Sequence, residues 1–181
     1  ALKPDVVFVS TASQIEMFMK TLEANGIAVY VSNPTSLEGV FKDLKRFGEL
    51  FGNQDIAENL VTDLKRRVEE ARCIDVRACA AVATFGKKVE PRTRVFVQIS
   101  KEPLFTIGKQ SFLTDLIGMM YAESVTMNVE SAYPKLSKEN ASALNPDTII
   151  LSESDDNKEP NDAFKNSPAV KNGRIYKVNA D

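Results

Sequence analysis

The sequence predicts an α/β protein: two α/β lobes with parallel-type sheets, bridged by a long α-helix, the N-terminal lobe being incomplete. Three observations carry this expectation. First, a strand signal occurs twice, residues 2–10 reading L-K-P-D-V-V-F-V-S and residues 144–152 reading L-N-P-D-T-I-I-L-S. Each is a proline turn followed by an apolar, β-branched run, the pattern of a strand buried on both faces of a parallel sheet. Second, each copy continues through a helix-length connection to an Asn-Gly pair and another apolar run: Asn25-Gly26 before Ile27 to Val31, and Asn172-Gly173 before Arg174 to Val178. Asn-Gly suits the left-handed turn at a helix end, so each copy reads as a β-α-β unit with a right-handed crossover. Third, the stretch between the copies has the periodicity of long amphipathic helices.

Taken in order, residues 1–34 form the second half of an N-terminal lobe. Residues 35–93 form bridging helices and a linker, and residues 94–181 a C-terminal lobe. Thr35 or Ser36 can cap a helix running to about Phe51. Gly52-Asn53 interrupts it, and a second helix follows from about Asp55 to Arg72, with Ile56, Leu60, Val61, Leu64 and Val68 at helical spacing. End to end, the two helices would make a rod of about 50 Å. Residues 73–93 are irregular in pattern. The strand Arg94 to Ser100, a loop, a helix Phe112 to Ala122 and a helix Lys138 to Leu144 then lead into the second copy of the repeat. The first copy has no such preceding half, and the chain starts as the middle of a protein reads; half a lobe is expected upstream of Ala1.

Composition narrows the function classes. There is no histidine, which removes Ser-His-Asp and Cys-His catalysis and imidazole metal sites. The formal net charge is −2 and the basic residues are scattered, so no nucleic-acid partner is expected. No run approaches the roughly 18 apolar residues of a spanning helix. Two cysteines, Cys73 and Cys79, are too few and wrongly spaced for a zinc site; they can be a local disulfide or two thiols. A nucleotide-binding enzyme would need a glycine-rich phosphate loop, and neither standard pattern is present. Nitrogenase-like metal-cluster proteins share such lobes, but their cluster-ligating cysteines have no counterpart outside the linker here.

The second lobe carries the most specific signal. After the strand Arg94-Val95-Phe96-Val97-Gln98-Ile99-Ser100 comes Glu102-Pro103-Leu104-Phe105-Thr106-Ile107-Gly108-Lys109-Gln110-Ser111-Phe112, and downstream Ser131-Ala132-Tyr133-Pro134-Lys135-Leu136-Ser137-Lys138-Glu139. Together with the two L-x-P-D runs, these segments resemble the periplasmic vitamin B12-binding and ferric siderophore-binding proteins over nearly the whole chain. The resemblance implies two α/β lobes joined by one long helix, little hinge motion, and a ligand held between the lobes. It implies a solute-binding component of an ABC importer that is extracytoplasmic, peripheral to the membrane, without a resident cofactor and without enzymatic activity. Its ligand would be a bulky chelate, a corrinoid or a ferric siderophore, and its protein partner the importer's permease. The chain departs from the family at Tyr121-Ala122-Glu123-Ser124, where a Gly-Gly turn is usual, and at Ser10-Thr11-Ala12-Ser13, which lacks an aromatic residue often present in B12 binders.

Residue by residue, Phe105 matches an aromatic position that contacts ligand, and Tyr133 stands where those proteins carry a cleft tryptophan. Flat aromatic surface suits a macrocycle; the alternative for Phe105 is a core residue after a strand, and for Tyr133 core or plain surface. Ser10 and Ser152 end the two repeated strands, where parallel sheets present residues to clefts, and are candidate polar ligand contacts. Glu139 matches a carboxylate that docks on a permease arginine; independently, it reads as a first-turn acid complementing a helix dipole. Ser111 reads as an N-cap. Glu153-Ser154-Asp155-Asp156 lacks the pattern of a calcium loop and reads as a solvated turn. Other ligands, haem or an oxyanion, and a non-binding chain that self-associates through an open sheet edge are the alternative readings.

Overall fold

The computed structural model describes residues 3–10, 16–72 and 92–179; Cys73 and Cys79 lie outside the described residues. The chain forms two compact units, Ala1–Pro34 and Thr35–Asp181.

The first unit is the first copy of the repeat. Strand β1 (Val6–Ser10) leads through helix α1 (Glu16–Ala24) to β2 (Ala28–Ser32). The strands pair in parallel, from Val6 with Ala28 to Ser10 with Ser32. Gly26 takes φ +74°, the left-handed turn the Asn-Gly pair announced. Burial on both faces is not observed here: Phe8 and Val31 are each 40% exposed. Among the described residues this sheet has two strands, and neither is an inner one. Phe8 packs instead across the ladder on Tyr30, ring centroids 5.5 Å apart, directly opposite in register.

The second unit opens with helices α2 (Leu37–Leu50) and α3 (Gln54–Arg72). Ser36 caps α2, its hydroxyl accepting the Gly39 N–H at 3.1 Å. The two helices do not run end to end as a 50 Å rod. Gly52 at φ +68° reverses the chain, and they pack antiparallel: Glu38 meets Lys65 at 3.3 Å and Lys45 meets Glu58 at 4.0 Å. Phe41, Gly48, Ala57 and Val61 are the residues they bury. The physical reason is apolar area. Each helix has an apolar stripe, and folding back buries part of both, Phe41 and Val61, while Ile56 and Leu60 of α3 stay exposed. The hairpin crosses closely at Gly48, where an added Cβ would collide with the Ala57 Cβ and lie 3.2 Å from the Asn53 carbonyl oxygen. Gly48→Ala is therefore expected to cost about 1–3 kcal/mol, and Ala57→Gly in the same chain should restore most of it. Thermal unfolding of the two single variants and the double variant checks this. A polar contact ties the hairpin to the rest of the unit: the Leu37 N–H donates to Asp115 at 3.0 Å.

Among the described residues the sheet of this unit has five strands: β3 (Arg94–Ser100), β4 (Phe105–Thr106), β5 (Glu123–Ser124), β6 (Thr148–Glu153) and β7 (Ile175–Asn179). The order is β4-β3-β6-β7, with β5 pairing β3 beside β4; β4 is antiparallel and the other pairings are parallel. The central strand β3 is buried from Val95 to Gln98, as an inner strand covered on both faces must be. One face packs Val95, Val97 and Ile107 under helix α4 (Phe112–Met119), through Leu113 and Ile117. The other packs Phe96, Ile149, Leu151 and Phe164 under helix α5 (Lys138–Leu144), a 3-10 turn (Asp162–Phe164) and helix α6 (Pro168–Lys171). The second repeat copy is thus β6, the 3-10 turn and α6, then β7, again with a left-handed glycine, Gly173 at φ +64°. Helix α4 ends at Met119, earlier than its sequence pattern predicts. Tyr121 then takes φ 57°, a conformation that glycine adopts freely and a bulky residue rarely does. The chain turns here to begin β5, whose pairing with Arg94 and Val95 supplies hydrogen bonds that a longer helix would forgo.

Candidate ligand-binding rim

Because β3, β6 and β7 are parallel, their C-terminal ends lie along one edge of the sheet, the edge where α/β proteins hold ligands. Phe105 sits at that edge, paired with Ser100, the last residue of β3. It is half-buried, neither a sealed core residue nor a free surface one. The segment carrying Tyr133 is zipped antiparallel onto the same loop. The Leu136 N–H donates to the Leu104 carbonyl at 2.9 Å, Thr106 N–H to Pro134 at 3.1 Å, and Gly108 N–H to Ala132 at 2.9 Å. Phe105 and Lys135 form a bridge within this ladder. The two aromatic candidates are therefore brought onto one piece of structure, Tyr133 with 49% of its surface exposed.

Gly108 sets how close the two segments come. A Cβ there would collide with the Ser131 carbonyl oxygen and lie 2.8 Å from that of Val129 and 3.2 Å from Pro134 Cδ. The glycine of this loop serves close backbone approach, not phosphate binding. Beside it, Lys109 pairs with Glu130 at 2.5 Å, and Ser111 caps α4 as expected, its hydroxyl accepting the Leu113 N–H.

Ser152 lies near the end of β6, half-buried, in register with Val178. Its carbonyl accepts the Asn157 side-chain amide at 2.7 Å. Ser10 ends β1 opposite Ser32; its side chain lies outside what the structure describes. Ser10 belongs to the first unit, and the other candidates belong to the second.

Glu139 is exposed in the first turn of α5, two residues after the N-cap Ser137. Its carboxylate accepts its own backbone N–H and the Ser137 hydroxyl, with Lys138 adjacent, and these hold it below the ordinary glutamate range. Lys138 is itself engaged by Glu102 at 2.9 Å, so Glu139 keeps its charge while its cationic neighbour points to another acid. The folded form binds the Glu139 proton more weakly than the unfolded chain does. Its contribution to stability is therefore present above the unfolded pKa and is lost as pH falls through the lower folded value. Ser137→Ala is expected to raise the Glu139 pKa toward its ordinary value and to cost about 1 kcal/mol through the lost Asn140 cap. Carboxyl-detected NMR titration and thermal unfolding check the two parts.

The features that sequence reading missed are Gln98, Asn157 and Asn161, polar residues buried to 1% exposure or less. The one signal for them was a glutamine inside the apolar run of β3.

An α/β architecture with aromatic residues at its strand ends is the kind on which ligand-binding sites are built. The family model for the periplasmic binding protein matches residues 1–181, and the chain belongs to that family. It is 29% identical over 187 residues to an uncharacterized ABC transporter substrate-binding lipoprotein, YvrC, of Bacillus subtilis, covering 100% of this chain and 56% of that protein. It is 24% identical over 182 residues to the vitamin B12-binding protein of Vibrio vulnificus, covering 99% of this chain and 62% of that one. The chain thus spans little more than half the length of these curated relatives. A periplasmic heme-binding protein from Pseudomonas aeruginosa has the same fold, with a TM-score of 0.73 at 20% identity, over 97% of this chain and 63% of that structure. No helix among the described residues is long and apolar enough to cross a membrane.

Proposed function

We propose that this chain is part of the solute-binding component of an ABC importer, acting outside the cytoplasm and peripheral to the membrane. In this reading it captures a bulky chelate, a corrinoid or a ferric siderophore, and carries out no catalysis. The observation that carries the reading is the rim: Phe105 and Tyr133 are joined by one backbone ladder at the C-terminal edge of the sheet. Two aromatic residues held on a rigid frame supply flat apolar area at little entropic cost, which is what a macrocycle or chelate needs. The family match and the relative named as a vitamin B12-binding protein support the same class of ligand. Ser10 and Ser152 are assigned as polar contacts to the ligand, from the two repeated strand ends. Glu139 is assigned to the permease: an exposed carboxylate, held ionised by its helix end, fits a basic docking partner and steers its approach.

Native mass spectrometry of the protein that carries this chain, against cyanocobalamin, cobinamide, ferric hydroxamates, haem and phosphate, tests the assignment. A single one-to-one adduct with a corrinoid or ferric siderophore is the expected result. Phe105→Ala and Tyr133→Ala should each weaken it by about tenfold or more. Glu139→Ala should leave the adduct intact and slow transport. An adduct with haem or phosphate alone, or none with any of the five, overturns the chelate reading.

A further inference from the structure

The most completely bonded feature of the second unit is the cluster of three buried side-chain amides at the C-terminal edge of the sheet. Gln98 Nε2 donates to Asn157 Oδ1 at 2.6 Å and to the Glu159 carbonyl at 2.9 Å, and its Oε1 accepts the Asn161 N–H at 2.8 Å. Asn157 Nδ2 donates to the carbonyls of Ser152, Gln98 and Ile99 at 2.7, 3.0 and 3.2 Å. Asn161 Nδ2 donates to the Lys101 carbonyl at 2.9 Å and lies 3.4 Å from Glu102 Oε1, while its Oδ1 accepts the Ala163 N–H at 3.0 Å.

These bonds join three pieces of chain: the end of β3, the end of β6, and the 154–161 loop, which is irregular except for its turn. Through Asn161 they also take hold of residues 101 and 102, which lead into Phe105. Packing a core needs no buried amides; apolar side chains do it without the desolvation cost. What amides supply is a single permitted arrangement, because any shift of the loop strands a donor or acceptor away from water. We infer that Gln98, Asn157 and Asn161 are positioning residues of the rim. They lock the 154–161 loop and the turn that carries Phe105 into one preformed lip, so that the ligand meets a wall already ordered. This rests on the binding role proposed above. A preformed wall lowers the ordering cost at binding, and loosening it lowers affinity.

Asn161→Ser separates positioning from folding, because serine can still cap the 3-10 turn but cannot reach the Lys101 carbonyl. Hydrogen–deuterium exchange of the variant and the parent is the first readout. Amides of residues 101–106 are expected to exchange about tenfold faster in the variant, those of β6 and β7 at the parent rate. Titration with cyanocobalamin and with a ferric hydroxamate is the second. Affinity for whichever probe the parent binds should fall about tenfold at a temperature where both proteins are fully folded. Should Asn161→Ser fail to fold, exchange in the ligand-free parent decides: slow amides at 101–106 are the expected result, and amides there that exchange fast until cyanocobalamin or the ferric hydroxamate is added overturn the inference. Unchanged exchange at 101–106 overturns the inference, and so does faster exchange with unchanged affinity. If the parent binds neither probe, the chelate reading fails, while faster exchange still supports a preformed lip held by Asn161.

Discussion

Gly108→Ala is expected to destabilise the second unit by about 2–3 kcal/mol and to release the segment that bears Tyr133. A methyl group at this position meets the carbonyl oxygens of Ser131 and Val129 and the ring of Pro134. Two of these are backbone atoms already committed to the ladder, so they cannot swing aside as a flexible side chain would. Either the ladder opens between Gly108 and Ala132 or the whole 129–134 loop moves outward. Thermal unfolding followed by circular dichroism should show a loss of about 5–10 °C. Hydrogen exchange should be fastest at residues 129–136. Gly118→Ala is the matched control. This helical glycine has nothing within 4 Å of its added Cβ, so alanine should stabilise by about 0.5–1 kcal/mol. If both glycines tolerate alanine equally, the close approach at Gly108 does not hold the rim together.

Phe96→Ala is expected to cost about 3–5 kcal/mol. Phe96 has no exposed surface and lies in the middle of the central strand, its ring centroid 4.4 Å from that of Phe164. Phe164 ends the 3-10 turn that Asn161 caps. The cavity would therefore open beside the amide cluster, and neighbours that are held by hydrogen bonds collapse poorly into empty space. Phe96→Leu, which keeps most of the volume, should cost much less. Denaturant unfolding of the three proteins, read by exchange at residues 161–170, separates this unit from the first. A loss below about 1 kcal/mol for the alanine variant would mean that this face is not the core.

Much of the candidate site was visible as parts. Phe105, Tyr133 and Glu139 are picked out by the resemblance of their segments to a known family's motifs, while local pattern alone reads Glu139 as a first-turn acid. Their relation to one another was not visible. The ladder that joins Leu104–Gly108 to Ala132–Leu136 spans more than twenty residues of intervening chain, and no local pattern encodes such a pairing. The same holds for the amides. Gln98 is odd in an apolar strand, but Asn157 and Asn161 look like ordinary loop residues until the fold places them beneath it.

The sequence by itself determined what short-range physics controls. Strand β3 runs from Arg94 to Ser100 and helix α5 from Lys138 to Leu144, as their patterns predict. Ser111 caps its helix as expected, and Ser36, of the two candidates Thr35 and Ser36, caps α2, because a hydroxyl can satisfy an orphan N–H where a helix starts. Gly26 and Gly173 take the left-handed turns that end each copy of the repeat. Tertiary structure decided how these pieces meet. Helices α2 and α3 fold into a hairpin instead of a rod because doing so buries Phe41, Ala57 and Val61, and Gly48 permits close contact. The strands of the first unit stay partly exposed because two strands give one another no inner position. Buried amides and an aromatic rim come together at one sheet edge because parallel strands end on the same side. These outcomes depend on burying area and satisfying hydrogen bonds between residues far apart in the chain, and those energies exist only once the chain has folded.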